Sequence, residues 1–381
     1  MTTPQRAATA ALTTTVATVC PVFLVGGLSV QIMDELTFSP AGLGLAVALY
    51  FTTSALVSVW SGRFVERVGV RKAAVAAIVL VAIALVGIAA SVTFTMLIVM
   101  LILAGPANSL GQLSANALLA KRIPPKRQGL MFGIKQAAIP ASTTLAGLSV
   151  PLIALTLGWR WAFGFAALLA LGALLLLPPN PGAAAKAAPH PAARRRPSAA
   201  LVVITAAAAL GATAANPLGT FIADYAVFRG MSEAFAGMTV TIGGLAGVVA
   251  RISVGWLADK RSSGRLSMIA IMLAAGSMGL LILLAPGLWT IPVGTAVGFA
   301  LGWAWPGLLN FAITLRHPDA PAAATGVTQT GVYLGGGIGP LSFGAIVDLW
   351  GYPTAWTTMS VLMLVGAALM VVGRRMLLRV T

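Results

Sequence analysis

Apolar stretches of about 20 residues recur along the whole of this 381-residue chain. A helix needs roughly 20 such residues to cross a hydrocarbon core about 30 Å thick. Only 8% of the residues are charged, against roughly a quarter in an ordinary soluble domain. These features exclude a water-soluble fold and predict an all-α polytopic membrane protein.

Proline, glycine and charge clusters divide the chain into twelve apolar segments. A Pro- and Ala-rich basic stretch at 179–199 predicts a cytoplasmic linker between an N-terminal six-helix bundle at 1–178 and a C-terminal six-helix bundle at 200–381. The predicted transmembrane helices are 11–33, 40–61, 73–93, 95–120, 130–157, 161–178, 200–223, 233–256, 267–285, 288–314, 323–347 and 354–373.

The placement of basic residues predicts the orientation, because short loops rich in Lys and Arg stay in the cytoplasm. An even number of helices puts both termini on one side, and 20 of the 24 Lys and Arg residues fall on that side. Only Arg160 and Arg229 fall on the other. We therefore expect a multi-pass protein of the cell (inner) membrane with both termini cytoplasmic. Basic loops beside an anionic leaflet account for the formal charge of +16 without a nucleic-acid partner.

The two halves of the sequence resemble each other. A shift of 193 positions places Gly62 on Gly255 and Glu66 on Asp259. At the same shift, further glycines and a proline of the first half coincide with the same residue types in the second half, and the basic residues near these two acids coincide with each other. A duplicated six-helix unit with parallel halves is the simplest explanation, because transporters are commonly built from repeated bundles.

The segment from Gly62 to Lys72 resembles the Gly-x-x-x-Asp-Arg-x-Gly-x-Arg-Arg signature of the major facilitator superfamily, and the segment from Gly255 to Arg265 is similar to its second copy. Glu66 stands where the family usually has Asp, and Ser262 replaces the loop glycine of the second copy. The resemblance covers the whole chain and implies two pseudo-symmetric bundles that alternate access to a central site.

The resemblance, together with the charge pattern, predicts a conformational latch at these signatures. A glycine allows a neighbouring helix to approach, and a carboxylate one turn later can face the positive end of another helix. Such contacts would exist in only one conformation. The alternative is that these charges only enforce topology. The candidate latch residues are Gly62, Glu66, Arg67, Arg71, Gly255, Asp259, Lys260 and Arg265.

Polar residues inside predicted spans indicate a central path, because each is costly in hydrocarbon unless it faces a cavity or a partner. Residues 108, 112 and 116 follow one face of helix 4, and shorter polar sets occur on helices 5, 7, 10 and 11. Hydrogen bonding between helices is the alternative for each amide, and apolar packing is the alternative for the tryptophans. The candidate substrate-binding residues are Asn108, Gln112, Lys135, Gln136, Asn216, Arg251, Trp303, Gln329 and Tyr333.

Two cations, Lys135 and Arg251, fall inside predicted spans. A permanent cation beside a solute path suits an anion. Lys135 could instead extend to the interface, and Arg251 could bridge to the signature. Ser142 and Ser149 share the face of Lys135, which predicts that this polar stripe faces the cavity.

The combined prediction is a secondary transporter that takes up a small organic or inorganic anion with protons, and Asp224 is the candidate for proton coupling. The alternative is a proton-coupled exporter of drugs or metabolites. Drug/proton antiporters of the superfamily typically carry an arginine early in helix 4 and a Gly-Pro motif in helix 5, and both are absent here. We expect no enzyme activity, cofactor or metal, the lipid bilayer and an anionic solute as partners, and a monomer.

Overall fold

A computed structural model describes residues 3–120, 128–178, 198–260, 263–316 and 321–379, and these residues are helical apart from short turns. Large apolar side chains such as Leu152, Leu168, Phe235 and Val249 lie exposed on the outside of the bundle, as expected for a surface in contact with lipid. Apart from its last two residues, the predicted linker lies outside the described residues. The hydroxyl of Ser198 accepts a hydrogen bond from the Leu201 amide and caps the next helix, which begins at residue 199.

Within the described residues, the first half of the chain contains ten α-helices, and some predicted segments are divided between two or more of them. They are α1 (Thr3–Gly27), α2 (Ser29–Leu36), α3 (Pro40–Leu56), α4 (Ser58–Val68), α5 (Val70–Ala89), α6 (Phe94–Ala120), α7 (Gln128–Gln136), α8 (Ala138–Ser149), α9 (Leu155–Leu157) and α10 (Trp159–Gly172).

The described part of the second half contains six α-helices, of which the last is exceptionally long. They are α11 (Ala199–Phe228), α12 (Glu233–Lys260), α13 (Arg265–Ile282), α14 (Thr290–Val297), α15 (Pro306–Arg316) and α16 (Pro321–Arg379). Gly351 has φ 80° and ψ 168°, so α16 is two helices joined at this glycine. Positive φ favours glycine because it has no Cβ.

Within the described residues, ten helices are long and apolar enough to cross a membrane, or eleven if α2 and α3, which are bent by 110° relative to each other, form one span. The twelve predicted segments all fall on helices. The last two predicted segments both lie within α16.

Two of the predicted helices contain π-helical turns. The segment at 130–157 breaks at residue 137 and continues through a π-helical turn at Val150–Ala154. The segment at 288–314 passes through a π-helical turn at Gly298–Gly302 and unwinds before Pro306. Proline lacks the N–H that a helix needs, and Pro140 and Pro306 lie at these two interruptions.

The bundle has two distinct ends. The end we call the basic end carries the start of α1, the turns α4–α5 and α12–α13, and the end of α16. The opposite end, which we call the acidic end, carries Glu35, Asp224, Glu233 and Asp348 at or near helix termini.

Within the described residues, the halves meet along two long seams, and α1 also packs on α11. In the first, α7 and α8 pack on α12 over their whole length, and a Cβ built on Gly255 would lie 2.7 Å from the carbonyl oxygen of Gly129. In the second, α3 packs on α16 near Gly44 and Pro340. Towards the basic end this second seam is less tightly packed, because a Cβ built on Gly62 of α4 or on Gly326 of α16 would have no described atom of the opposite half within 4 Å.

Candidate functional site

A cavity of about 660 Å³ lies between the two halves. Its lining extends from Phe23 and Asn216, near the middle of the bundle, to Leu119, Met131 and Thr314 near the basic end. All nine residues predicted to bind substrate line it, namely Asn108, Gln112, Lys135, Gln136, Asn216, Arg251, Trp303, Gln329 and Tyr333.

Lys135 turns into the cavity and does not extend towards the interface. Its side chain is 5% exposed, and its ammonium donates a hydrogen bond to Oε1 of Gln112. The lysine is therefore held against the amide stripe of α6, beside the space that a solute would occupy. The snorkelling alternative does not describe this geometry, whereas anion binding by Lys135 stays a prediction.

Arg251 connects two interrupted helices from opposite halves. Its Nη1 donates to the carbonyl of Gln136 at 2.6 Å, and its Nη2 donates to the carbonyl of Trp303 at 2.7 Å. Pro140 has no N–H to bond the carbonyl four residues earlier, so Arg251 supplies the donor that the helix lacks. It does not bridge to the signature, which was the alternative.

The cavity contains no acidic side chain among the described residues that line it. The ion pair that the described part of the chain does form, between Arg160 and Glu35, lies at the acidic end. Lys135 and Arg251 are both buried and both line this cavity. An anion in the cavity would supply the counter-ion that these two cations lack among the described lining residues.

The amides of the lining are only partly satisfied by the protein. Nδ2 of Asn108 donates to Oγ of Ser54 at 2.8 Å, but Oδ1 of Asn108 is buried and has no partner within the described residues. Nδ2 of Asn216 donates to the carbonyl of Ala212 at 2.8 Å. Gln329 and Tyr333 lie one turn apart on α16. These groups leave donors and acceptors for a bound solute.

Three predicted polar positions lie elsewhere. Asp224 is outside the cavity lining, at the acidic end, where it accepts a hydrogen bond from the hydroxyl of Tyr352. The expected stripe of Ser142 and Ser149 does not line the cavity either. Ser142 donates to carbonyls of Val16 and of its own helix, so this face packs against α1.

The acidic end is closed by close packing and by hydrogen bonds between the halves. A Cβ on Gly26 would overlap the backbone of α11. Gln31 donates to Glu233, and the hydroxyl of Ser39 donates to the carboxylate of Asp348 at 2.7 Å. The cavity therefore has its closed side at the acidic end.

The two signature copies differ in this conformation. Oδ1 and Oδ2 of Asp259 accept hydrogen bonds from the amides of Gly129 and Leu130, both at 2.9 Å, at the N-terminal end of α7. Glu66 is exposed and, within the described part of the chain, forms no hydrogen bond or ion pair. Among the described residues, only the carboxylate of the second copy accepts hydrogen bonds from the opposite half.

The remaining signature residues lie around two helix turns. In the first copy, Gly62 and Arg67 lie on α4, the turn is made by Gly69 with φ 87°, and Arg71 is the second residue of α5. In the second copy Gly264 takes the positive φ, at 81°, two residues after the position where the family has glycine. Lys260 lies over the Trp256 ring, and Arg265 lies over that of Phe311 while donating to the carbonyl of Ala258 at 3.1 Å.

Two phenylalanines of the cavity were not predicted from the sequence, although Trp303 and Tyr333 were. Phe23 and Phe51 line it beside Trp303, and the Phe23 and Trp303 rings are 5.6 Å apart. No sequence signal separates such rings from apolar packing, because phenylalanine on a membrane helix has no unusual neighbour. The Gln136 carbonyl that Arg251 bonds could have been anticipated from Pro140, because a proline leaves the carbonyl four residues earlier without its helical donor.

A family model described as Major Facilitator Superfamily matches residues 10–340. Among solved structures, the chain is similar to a bacterial homolog of the human lysosomal transporter Spinster in an inward-facing and occupied conformation. That likeness covers 96% of each chain with a TM-score of 0.72, and at 16% identity it bears on the fold alone. Because the family model spans most of the sequence and the fold agrees, this chain belongs to the major facilitator superfamily, a family of membrane transporters.

Proposed function

We propose that this protein is a secondary transporter that takes up a small organic or inorganic anion together with protons by alternating access. The observation that carries the proposal is the pair of buried cations, Lys135 and Arg251, in a cavity whose described lining holds no carboxylate. A buried charge without a counter-ion is costly, and an anionic solute would remove that cost when it binds.

The proposed architecture is twelve transmembrane helices in two bundles at 1–178 and 200–381, with both termini and the linker at 179–199 in the cytoplasm of a monomer in the inner membrane. Ten helices within the described residues are long enough to span the membrane, and the bent pair α2 and α3 adds one span. Counting the two helices joined at Gly351 as two spans then supports a total of twelve. The split of loop cations, 20 against 2, supports placing the basic end in the cytoplasm. The cavity then extends towards the cytoplasm.

Asp224 is our candidate for the proton-coupling group. It is a partly buried carboxylate at the acidic end that accepts a hydrogen bond from Tyr352. Protonation would remove the charge that favours this bond, and it would do so on the side from which protons enter in an uptake mechanism.

A proton-coupled exporter of drugs or metabolites is the second candidate. The size of the cavity and the presence of Phe23, Phe51 and Trp303 in its lining favour this alternative. The two candidates differ in the charge of the ligand, because an exporter of neutral or cationic compounds has no need of Lys135.

Binding of anions to purified protein tests the proposal. We expect a set of carboxylates, sulfonates and inorganic anions to include ligands that raise the melting temperature, since a ligand at 100 times its dissociation constant stabilises by about 2.7 kcal/mol. Lys135→Gln should abolish this shift, and Lys135→Arg should retain part of it. Arg375→Gln removes a positive charge from an exposed site on α16 and should leave binding unchanged.

Wild-type affinity of Lys135→Gln for the same anions would contradict the proposal. Stabilisation by neutral or cationic compounds with no response to any anion would favour the exporter instead.

A further inference from the structure

The cavity is far larger than an inorganic anion. A water molecule occupies about 30 Å³ in the liquid, so a cavity of about 660 Å³ exceeds the volume of a sulfate or an acetate many times over. Cavities of roughly 300 to 1,000 Å³ typically bury most of a drug-sized ligand. A small hydrophilic anion at Lys135 would leave most of the lining in contact with water.

The charged and aromatic parts of the lining adjoin each other. The guanidinium carbon of Arg251 lies 5.7 Å from the ring centroid of Trp303. On the α16 side, Gly336 faces the ring of Phe51, since a Cβ built on this glycine would lie 3.6 Å from the ring, in ordinary contact. Tyr333 lines the cavity one turn before this glycine. An apolar group next to a negative charge would contact both parts at once.

The cations keep hydrogen-bond donors for a ligand. A guanidinium has five N–H donors and an ammonium has three. Arg251 uses two on the carbonyls of Gln136 and Trp303, and Lys135 uses one on Gln112. A carboxylate accepts several hydrogen bonds and could bind both cations without displacing these contacts.

We infer that the anion is an organic carboxylate with an aromatic or similarly bulky apolar body, its carboxylate at Lys135 and Arg251 and its ring among Phe51, Trp303 and Tyr333. This inference rests on the proposed function and narrows it to one class of substrate. It assigns the affinity to two separate contributions, charge pairing and burial of apolar surface.

Six compounds separate these contributions. We would measure dissociation constants of the purified protein for two aromatic carboxylates, 2-naphthoate and benzoate, for two small anions, acetate and sulfate, and for two neutral amides, 2-naphthamide and benzamide. We expect 2-naphthoate to bind more tightly than benzoate, and acetate and sulfate to bind at least tenfold more weakly than benzoate. The neutral amides should not bind measurably.

Variants of Phe51 test where the ring binds. Phe51→Ala should weaken 2-naphthoate at least tenfold while leaving acetate unchanged. Phe51→Leu keeps most of the volume, removes the ring and should weaken 2-naphthoate to a smaller extent, which keeps the test available if Phe51→Ala does not fold. Phe165→Ala, at an exposed position on α10, is the matched control.

The possible failures are distinguishable. Acetate or sulfate binding as tightly as 2-naphthoate would overturn this inference and leave the anion proposal intact, as would unchanged binding of 2-naphthoate to both folded Phe51 variants. Equal affinities for 2-naphthamide and 2-naphthoate would overturn the anion proposal itself. Absence of binding by all six compounds would contradict both.

Discussion

Asp259→Asn removes the charge of the one signature carboxylate that, within the described residues, forms hydrogen bonds with the opposite half. Asp259 accepts hydrogen bonds from two backbone amides of α7 at 2.9 Å. A hydrogen bond to a charged group contributes about 1.5 to 3 kcal/mol, and a charge at a helix N-terminus contributes up to about 2 kcal/mol in partly buried geometry. Asparagine keeps one acceptor oxygen, loses the charge and turns an N–H donor towards an amide.

We therefore expect this substitution to weaken the contact between α7 and α12 by about 2 kcal/mol, which is a change of about thirtyfold in an equilibrium constant. The two helices belong to opposite halves of the chain, so the population in which they are separated at the basic end should rise. Spin labels at Ile134 and Ser253, in a Cys20→Ala background, would measure this population as a longer component of the distance distribution.

Glu66→Gln is the matched control, because Glu66 occupies the equivalent position of the first signature and is exposed. Its effect on the same distance distribution should be less than twofold. An unchanged distribution in Asp259→Asn, or an equal change in Glu66→Gln, would refute the argument and leave these acids as determinants of topology.

Three further predictions concern stability and topology. Arg251→Gln should lower the melting temperature in detergent, because each of the two buried carbonyls that the guanidinium bonds costs about 1 to 3 kcal/mol when left unpaired. An unchanged melting temperature would show that these two hydrogen bonds do not stabilise the fold. Gly244→Ala should destabilise by about 1 to 3 kcal/mol through overpacking, since its Cβ would lie 2.6 Å from a backbone nitrogen of α8, whereas Gly164→Ala, with nothing within 4 Å, should not. Cysteines at Ala188 and Ser232 should be labelled from opposite sides of the membrane, and labelling of both from outside intact cells would contradict the proposed topology.

The helices were predictable because hydrophobic length is a strong signal in membrane proteins. Every predicted segment falls on a helix, and the proposed repeat places Gly62 and Gly255 on equivalent helices. The breaks were less predictable. The π-helical turns at Val150–Ala154 and Gly298–Gly302 change the backbone hydrogen-bond pattern without interrupting the apolar sequence, so hydropathy does not indicate them.

The candidate site was predictable where charge or spacing separates a residue from its surroundings. Lys135 and the amides of α6 stood out because polar groups are rare in such spans, and all of them line the cavity. Ser142 did not line it, because a serine can donate to a carbonyl of its own helix and pack as a small residue. The asymmetry between Asp259 and Glu66 depends on the conformation, which the repeat alone does not specify.

Counterflow in proteoliposomes would show whether one cavity is exposed to each side of the membrane in turn. Vesicles loaded with an excess of an unlabelled anion that binds the protein would be diluted into a trace of the same anion carrying a radiolabel. Alternating access to one cavity predicts transient accumulation of label that saturates with concentration and disappears in Lys135→Gln but persists in Arg375→Gln. Flux that does not saturate would contradict alternating access, and label uptake that Lys135→Gln leaves unchanged would contradict anion binding at Lys135.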